Sequence, residues 1–257
     1  MKLSWEIGEY DVQQAQTFVS KWEDDPLVQL RKRRNINKQH PMISEDTVWF
    51  VFLGCLMTTQ QRSGPGSAVK RILDQQPFPL SYAMCSNQED LETFVKEKLT
   101  SLGGIRRTST IAEQCAANFK LLEEGLWEVL LAKLRKVNES DDPTVEREVA
   151  HFVAEHFEGF GPKQSRNLLQ WLGTSKYEIP IDSRVTKWLN GHLLNFQLSA
   201  QLLSEHAYYD LLSDGIQMLC RRAGIYPCMF DASVFTSFDK GWDVEDLGAS
   251  ETLGQMN

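Results

Sequence analysis

The segment that decides the fold reads Phe-Glu-Gly-Phe-Gly-Pro-Lys at residues 157–163. It follows a stretch that starts at Asp142 and carries apolar residues at helical spacing, and its proline stands where a second helix can begin. Gly159 and Gly161 permit positive φ and close approach of the backbone, while the first amides of the next helix point outward. The sequence therefore predicts two helices joined by a glycine hairpin over residues 143–173. The hairpin is either a tight turn or a phosphate-binding nest.

The last residue of that segment, Lys163, lies in the first turn of the predicted second helix, where the helix macrodipole disfavours a cation. Partial burial at such a position lowers the pKa of a lysine and yields the free amine that a Schiff-base nucleophile needs. A lysine paired with phosphate or with solvent is the plainer alternative. Asp182 follows a short extended link and can cap the third helix. It can also face the amine and stabilise positive charge that develops on a substrate.

The remaining sequence is typical of a mostly α-helical globular protein. Of its 257 residues, 42% are hydrophobic and 24% are charged, which argues against disorder. Helical periodicity recurs at residues 10–34, 46–73, 89–99 and 108–136, and no alternating stretch is long enough to predict a sheet. These patterns favour one compact helical unit or two helical lobes.

The charge distribution leaves the partner open. A net charge of −8 disfavours nucleic acid, because phosphate binding rewards cations. The chain nevertheless carries a basic run at residues 31–34, and an acidic stretch from Asp231 to Asn257 can mask a locally basic face in the total. A basic run of this kind is otherwise a solvated helix face.

Cysteine and histidine spacing argues against metal and disulfide chemistry. The five cysteines are dispersed without a C-x-x-C pair, and the five histidines form no H-E-x-x-H set. We therefore expect no disulfide framework, no catalytic zinc and no iron–sulfur cluster. No apolar run approaches the roughly 18 residues of a membrane helix, and the first residues lack a secretory pattern. An intracellular protein that is not secreted and has no membrane partner is expected.

Together with Ile-Pro-Ile-Asp at residues 179–182, the hairpin segment resembles the signature of the helix-hairpin-helix (HhH-GPD) DNA glycosylase/AP lyase superfamily. The interval from lysine to aspartate is most similar to that of 8-oxoguanine DNA glycosylases. Residues 56–61 resemble the L-x-S-x-Q segment near the start of that fold, and residues 105–107 resemble its middle helices. Residues 226–235 resemble the late helix that borders the lesion pocket. The sequence departs from the family pattern at residues 157–158, where Phe-Glu replaces Leu-Pro.

The resemblance implies a mostly α, two-lobed fold without an iron–sulfur cluster. It divides the chain into an N-terminal helical extension with the basic run (1–44), a glycosylase core (45–236) and an acidic C-terminal tail (237–257). The implied partner is double-stranded DNA that contains a damaged base. The implied state is a monomer located in the cytoplasm and nucleoid or in the nucleus.

The resemblance also implies an activity in base-excision repair. Relatives with a lysine at the Lys163 position are typically bifunctional, because the lysine attacks C1′, expels the base and supports β-elimination through a Schiff base. Asp182 would assist the amine and stabilise the oxocarbenium-like state while it caps its helix. The expected target is an oxidised purine, with 8-oxoguanine favoured. The alternatives are a glycosylase for a different modified base and a non-catalytic helix-hairpin-helix DNA-binding module.

Further residues receive roles from the same resemblance. Gly159 and Gly161 would hold a DNA phosphate, with Arg166 as an auxiliary cation. Gln60 or Gln61 would fill the gap that a flipped base leaves. The candidates for the base pocket are Phe230, Phe235 and Asn167. An aromatic residue at helical spacing is, however, more often part of the core. No metal-ligating side chain and no cofactor are implied, apart from a monovalent cation that hairpins of this kind can order through carbonyl oxygens.

Overall fold

The computed structural model describes residues 4–239 and residue 241, and every regular element in this part of the chain is a helix. The mostly α prediction is therefore confirmed. The α-helices are α1 (Glu9–Ser20), α2 (Pro26–Arg31), α3 (Glu45–Met57), α4 (Ala68–Leu73), α5 (Tyr82–Ser86), α6 (Leu91–Leu102), α7 (Thr108–Leu121), α8 (Trp127–Glu139), α9 (Pro143–His156), α10 (Pro162–Leu172), α11 (Ser183–His192), α12 (His206–Ala223) and α13 (Pro227–Phe238). Shorter π-helical segments at Lys32–Ile36 and Leu122–Leu126 and a 3₁₀ turn at Ala200–Ser204 connect them. None of the described helices is long and apolar enough to cross a membrane.

The helices pack around two large hydrophobic cores with two small clusters beside them, so the predicted two-lobed fold is confirmed. The larger core is built from residues 43–172 and centres on α3, in which every residue from Thr47 to Met57 is buried. A helix that is apolar on all sides has to lie inside a core. The second core is built from α11, α12 and α13 together with Val19 of α1.

Helices α1 and α2 complete the second lobe. Helix α1 packs against α12 and α13, and α2 packs against α13. Trp5 donates its indole N–H to the carbonyl of Leu211 at 2.7 Å. The predicted N-terminal extension is thus continuous in space with the C-terminal helices, and the division of the chain at residue 44 stays a prediction. Of the predicted acidic tail, only residues 237–239 and 241 are described.

Helices α9 and α10 form the helix pair that the sequence predicts over residues 143–173. Asp142 accepts a hydrogen bond from the backbone N–H of Thr144, and the proline that follows Asp142 opens α9. Helix α10 packs against α3 and α9. It ends at Gly173, which adopts a φ of 82°. A Cβ atom at that position would lie 2.6 Å from the side chain of His40, so both conformation and space require glycine there.

The basic run caps the far end of α10. The guanidinium of Arg31 donates to the carbonyl of Gln170 at 2.7 Å, and that of Arg34 donates to the carbonyl of Trp171 at 2.7 Å. Cations are favoured at the carbonyl end of a helix, where they satisfy the last backbone acceptors. Two of the four cations of the run therefore join the N-terminal segment to α10.

Two buried carboxylates fix the link between α10 and α11. Glu146 of α9 accepts hydrogen bonds from the three backbone amides of residues 176–178, each at 2.8 Å. Glu178 is fully buried and accepts hydrogen bonds from the side chains of Arg147, Arg166, Ser213 and Gln217. A buried carboxylate is destabilising unless it has such partners, so the network holds the link in one conformation. Because the link leads into Asp182, the network also sets the position of that side chain.

Arg166 belongs to this network and is not available to DNA. Its side chain has no exposed surface, its Nε donates to Glu178 at 2.8 Å and its Nη2 donates to Asp210 at 2.9 Å. The guanidinium also lies 4.6 Å from the ring centre of Tyr209. The prediction that Arg166 contacts a DNA phosphate is therefore wrong, because this residue faces the second lobe from α10.

A substitution of Arg166 tests its structural role. We expect Arg166→Met to lower the free energy of unfolding by about 3 kcal/mol, because it removes the buried hydrogen bonds from the guanidinium to Glu178 and Asp210. The matched control is Arg135→Met on the exposed face of α8, which should change the free energy by less than about 0.5 kcal/mol. Urea denaturation measures both, and equal unfolding midpoints for the two variants would contradict the assignment.

Candidate active site

An open cavity of about 890 Å³ lies between the two lobes. Its wall includes Phe50 of the first core and Ala232 of α13, which belongs to the second lobe. Lys163 from α10 and Asp182 from the start of α11 both line it. Ligand sites in proteins are commonly clefts of about 300–1,000 Å³, so the volume suits one nucleotide-sized group. The structure thus brings the two predicted catalytic residues to one cavity.

Lys163 is partly exposed to this cavity and otherwise surrounded by protein. Burial lowers the pKa of its amine, and the nearby carboxylate of Asp182 opposes that shift. The only hydrogen bond that its Nζ makes within the described residues is a long one, 3.4 Å to Oε1 of Gln164. A lysine in this condition holds more free amine at neutral pH than an exposed lysine does. The arrangement suits a nucleophile, as the sequence predicts.

The first turn of α10 is tied to the end of α3. Nε2 of Gln164 donates to the carbonyl of Cys55 at 2.6 Å and contacts the hydroxyl groups of Thr58 and Thr59 at 3.2 and 3.0 Å. Asn167, one turn later, donates to Oε1 of Gln164 at 3.2 Å. The helix that carries Lys163 is therefore anchored to the buried helix of the larger core.

Asp182 caps α11 and lines the cavity at the same time. Its Oδ1 accepts hydrogen bonds from the backbone amides of Arg184 and Val185 at 2.7 and 3.2 Å. Its Oδ2 accepts a hydrogen bond of 2.7 Å from the guanidinium of Arg184. The cap fixes the carboxylate in orientation, so the two alternatives that the sequence leaves open for Asp182 are both compatible with its position.

Arg184 is a residue that the sequence analysis does not single out. Besides binding Asp182, its guanidinium lies 4.3 Å from the ring centre of Phe235 and 3.5 Å from a carboxylate oxygen of Asp239. Its charge also contributes to the lowered pKa of Lys163. The sequence feature that could have identified Arg184 is the Asp-x-Arg spacing at residues 182–184. With this spacing the arginine side chain can reach the carboxylate of the capping aspartate.

The hairpin presents its backbone at the surface. Gly159 adopts a φ of 81°, and a Cβ atom there would come within 2.6 Å of Leu56. Gly161 is exposed, and nothing lies within 4 Å of the position that its Cβ would take. It is the N-cap of α10 and supplies no side-chain hydrogen bond, so the first amides of that helix remain free of an intrahelical partner. Such a surface suits an anion, and the phosphate contact itself stays a prediction.

Glu158, the acidic departure from the family pattern, is held through its backbone. Its backbone N–H donates to the side-chain amide of Asn118 and its carbonyl accepts from that amide, both at 2.8 Å. Its side chain is exposed, so water solvates the carboxylate.

The two glutamines that follow α3 both line the cavity. They differ in whether a hydrogen bond holds the side chain. Gln60 is exposed and adopts a φ of 61°, which is uncommon outside glycine and carries strain. Gln61 is held by its Oε1, which accepts a hydrogen bond from the backbone N–H of Arg106 at 2.8 Å. The side chain of Gln60 makes no hydrogen bond to the described residues. Gln60 is therefore better placed than Gln61 to project from the cavity rim.

The three residues predicted for the base pocket differ in where the structure places them. Phe235 and Asn167 line the cavity. Phe230 does not, because it is fully buried and packs edge-on against Trp188 with ring centres 4.9 Å apart. The assignment of Phe230 to the pocket is therefore wrong, and the alternative that it belongs to the core holds.

Two further polar residues line the cavity and were missed by the sequence analysis. Asp231 of α13 is only 7% exposed and Gln170 of α10 only 1%. Burial raises the pKa of Asp231 to about 7, while the nearby Arg31 and Lys163 and the amide of Gln170 oppose the shift. Asp231 was counted in the acidic stretch from Asp231 to Asn257, whereas it is an interior residue. The available signal was its place in the segment 228–235, where the only other polar residue is Ser233.

The monovalent cation at the hairpin stays a prediction. The carbonyls of Phe157 and Glu158 accept hydrogen bonds from Phe160 and Asn118, and each retains a second lone pair. In the part of the chain that the structure describes, no group of three or more histidine, cysteine, aspartate or glutamate side chains could hold a metal ion. The five cysteines are buried and unpaired.

Comparison with known proteins identifies solved structures that share this fold. No protein-family model matches the chain, and no curated protein sequence matches it significantly. The crystal structure of the 8-oxoguanine DNA glycosylase of Thermotoga maritima matches with 18% identity and a TM-score of 0.60, covering 90% of this chain and 99% of that one.

Two structures from Methanocaldococcus jannaschii give the same result. The 8-oxoguanine DNA glycosylase of that organism matches with 13% identity and a TM-score of 0.61, covering 89% of this chain and 95% of that one. The 8-oxoguanine glycosylase/lyase in complex with a 15mer DNA containing 8-oxoguanine matches with 12% identity and a TM-score of 0.61, covering 87% and 96%. The chain therefore has the fold of 8-oxoguanine DNA glycosylases, and the resemblance drawn from the hairpin is confirmed at the level of the fold.

The raised pKa of Asp231 predicts how stability depends on pH. The pKa of an aspartate in the unfolded chain is about 3.9, whereas burial raises the pKa of Asp231 in the folded chain to about 7. Between these values the unfolded chain binds fewer protons, so the free energy of unfolding falls as pH rises. Asp231→Asn removes this effect, and we expect it to raise that free energy by about 2–4 kcal/mol at pH 8 and by less than half as much at pH 5.

Urea denaturation at the two pH values checks this expectation. Asp24→Asn, at an exposed position outside the cavity, is the matched control and should show no such dependence. A stabilisation by Asp231→Asn that is the same at pH 5 and pH 8 would show that the carboxylate is not destabilised by its burial.

Proposed function

We propose that this protein is a DNA glycosylase with AP lyase activity that removes an oxidised purine from double-stranded DNA, with 8-oxoguanine as the favoured target. The observation that carries the proposal is the pairing of Lys163, an amine whose pKa burial lowers, with Asp182 in one cavity. The fold supports it, because the similar solved structures are 8-oxoguanine DNA glycosylases and one of them is a complex with DNA that contains 8-oxoguanine. Such an activity belongs in the nucleoid or the nucleus.

The first chemical step is displacement of the base. The free amine of Lys163 attacks C1′ of the damaged nucleoside, and the C1′–N9 bond breaks as the base leaves with its electron pair and gains a proton. The carboxylate of Asp182 stabilises the positive charge that develops on the sugar. Loss of the amine proton and opening of the sugar ring at O4′ give an imine between Nζ and C1′.

The second step is cleavage of the strand. The imine makes the C2′ proton acidic, and its removal expels the 3′ phosphate by breaking the C3′–O3′ bond. Water then hydrolyses the imine and returns the free amine of Lys163. No step requires an oxidant, a reductant or a metal ion.

Access to C1′ requires that the nucleotide leave the duplex, since a base in the helix is out of reach. The cavity accepts the flipped nucleotide, and Gln60 at its rim is placed to fill the vacancy. The amides of Gly161 and of the first turn of α10 bind a flanking phosphate. Arg106 and Lys187 are exposed at the cavity rim and add favourable charge for the DNA backbone.

A monovalent cation at the hairpin is part of the proposal but not of the chemistry. The carbonyls of Phe157 and Glu158 and their neighbours would hold it, and its charge would favour a DNA phosphate at the adjacent amides. We expect such an ion to affect the affinity for DNA and not the reactivity of Lys163.

Borohydride trapping tests the enzyme. We expect wild-type protein to form a covalent adduct with 8-oxoguanine duplex in the presence of borohydride, because reduction fixes the imine to Lys163. Lys163→Gln should form none. Asp182→Asn keeps an N-cap residue but loses the charge, so it should slow base excision by about 100-fold or more without unfolding the chain.

Several outcomes contradict the proposal. An undiminished adduct with Lys163→Gln would show that another nucleophile acts. Tight duplex binding that survives both substitutions, without base release from any lesion, would favour the non-catalytic DNA-binding module. Excision from a lesion panel that excludes 8-oxoguanine would favour a glycosylase for another base.

The pH dependence of trapping tests the state of the amine. The pKa of an ordinary lysine is about 10.4. Burial lowers the pKa of Lys163, so its free amine forms at a lower pH than that of an ordinary lysine. On DNA with a preformed abasic site, the rate of adduct formation should rise with pH and level off well below that value. A rate that continues to rise without a plateau through the pKa of an ordinary lysine would contradict the lowered pKa.

A further inference from the structure

The cavity is lined mainly by cations, although the chain as a whole is acidic. Its lining includes eight arginines and lysines and three aspartates, whereas the full sequence has a net charge of −8. Two of these cations, Arg106 and Lys187, are exposed at the rim. A cleft lined by charges of one sign concentrates the electrostatic potential and attracts the opposite charge. The cavity therefore favours any polyanion that can reach its mouth, and DNA is one of them.

The acidic tail leaves the described structure at the mouth of this cavity. Phe238, at the end of α13, lines the cavity and is half-exposed. The next residue, Asp239, is buried. Its carboxylate pairs with Arg62, which follows α3, at 2.5 Å and lies 3.5 Å from the guanidinium of Arg184 in α11. Because both arginines line the cavity, one carboxylate of the tail already contacts its cations and fixes the point from which the chain continues.

The residues that follow carry the charge that such a cavity attracts. The segment 242–257 lies outside the described residues, and its sequence has no lysine or arginine but four acids, Asp243, Glu245, Asp246 and Glu251. An extended chain spans at most about 3.6 Å per residue, so Asp243 can lie up to about 14 Å and Glu251 up to about 43 Å from Asp239. All four carboxylates are therefore within reach of the cavity mouth.

The covalent connection favours this contact further. An ion pair between exposed side chains is weak, commonly below about 1 kcal/mol. A segment that is tethered a few residues from its site, however, meets that site at an effective concentration in the millimolar range. Several weak ion pairs that form within one chain can therefore compete with a ligand that arrives from solution.

We propose that the segment 242–257 of the acidic tail lies across the cavity mouth in the free protein and competes with DNA for the cations of the cavity. The inference rests on the proposed function, because it takes the cavity as the place where DNA binds. DNA has to displace the segment, so the affinity for a duplex falls in proportion to the fraction of molecules in which the segment is bound. The chemistry of Lys163 and Asp182 is unchanged once DNA occupies the cavity.

Binding of an undamaged duplex tests the competition. The test variant is the full chain with its tail neutralised by Asp243→Asn, Glu245→Gln, Asp246→Asn and Glu251→Gln. The control variant has the same net charge, because it neutralises four exposed acids that do not line the cavity, through Glu92→Gln, Glu97→Gln, Glu128→Gln and Glu139→Gln. At low salt we expect the test variant to bind about 10-fold more tightly than wild type. The control should bind less than about threefold more tightly, since its acids lie outside the cavity.

The salt dependence of binding is part of the same test. Salt screens ion pairs between exposed groups, so the segment should be released as the salt concentration rises. The advantage of the test variant over wild type should therefore shrink to less than about twofold near about 0.3 M salt.

Carbodiimide cross-linking locates the segment in the free protein. The reagent joins a carboxylate to the amine of a lysine that it contacts, and mass spectrometry identifies the two residues. We expect cross-links from residues 243–251 to Lys187, and we expect an undamaged duplex to abolish them. Lys96 of α6 is exposed and does not line the cavity, so it should form no cross-link to the segment.

Three outcomes would overturn the inference. Equal affinities of the test and control variants would show that the segment does not compete with DNA. Cross-links to Lys96 as frequent as those to Lys187 would show that it has no preference for the cavity. Cross-links to Lys187 that persist on saturation with duplex would show that DNA does not displace it.

Trapping on DNA with a preformed abasic site separates this inference from the proposed function. At saturating protein, the test variant should form the borohydride adduct as fast as wild type does, because the segment has then been displaced. A different rate would overturn the inference, since the segment would then act on the chemistry. Failure of both proteins to form the adduct would overturn the proposed AP lyase, whereas the affinities and the cross-links decide the inference.

Discussion

The buried ion pair between Arg166 and Glu178 is the interaction on which the arrangement of the site depends. Arg166 shares α10 with Lys163, and Glu178 lies in the link that ends at Asp182, so the pair joins the segments that carry the two proposed catalytic residues. Glu146 binds the same link through its backbone amides. Buried ion pairs often add little net stability compared with apolar residues of the same size. The contribution of the Arg166–Glu178 pair is therefore to geometry. The link between α10 and α11 is held in the conformation in which the carboxylates of Glu146 and Glu178 both reach their hydrogen-bond donors.

The sequence was informative where structure depends on neighbouring residues. The glycine hairpin, the Asp142 cap and the capping position of Asp182 are local features, and they lead directly to the helix pair. It was misleading where burial depends on distant segments. The partners of Arg166 are Glu178 and Asp210, so position within α10 could not reveal that its guanidinium turns inward. Phe230 was assigned to the pocket for the same reason, because only the packing of α13 decides which of its aromatic residues faces the cavity.

The net charge of the chain was similarly uninformative about its surface. Two cations of the basic run, Arg31 and Arg34, donate hydrogen bonds to the carbonyls at the end of α10. Arg62 forms an ion pair with Asp239 beside the cavity. The exposed cations at the rim are few, and the amides of the hairpin carry no formal charge at all. A protein with a net negative charge can thus offer DNA a favourable contact when backbone donors and a small number of cations are aimed at the same phosphates.

Desolvation acts on both ionisable groups of the cavity and shifts their pKa values in opposite directions. It lowers the pKa of Lys163 and raises that of Asp231. In the free protein burial therefore shifts each group toward its neutral form, at a cost in stability for Asp231. In the proposed reaction the sugar carbon would react with the free amine, whose pKa burial lowers. The burial that disfavours the charged amine in the free protein would therefore be the same property that makes Lys163 reactive toward a substrate.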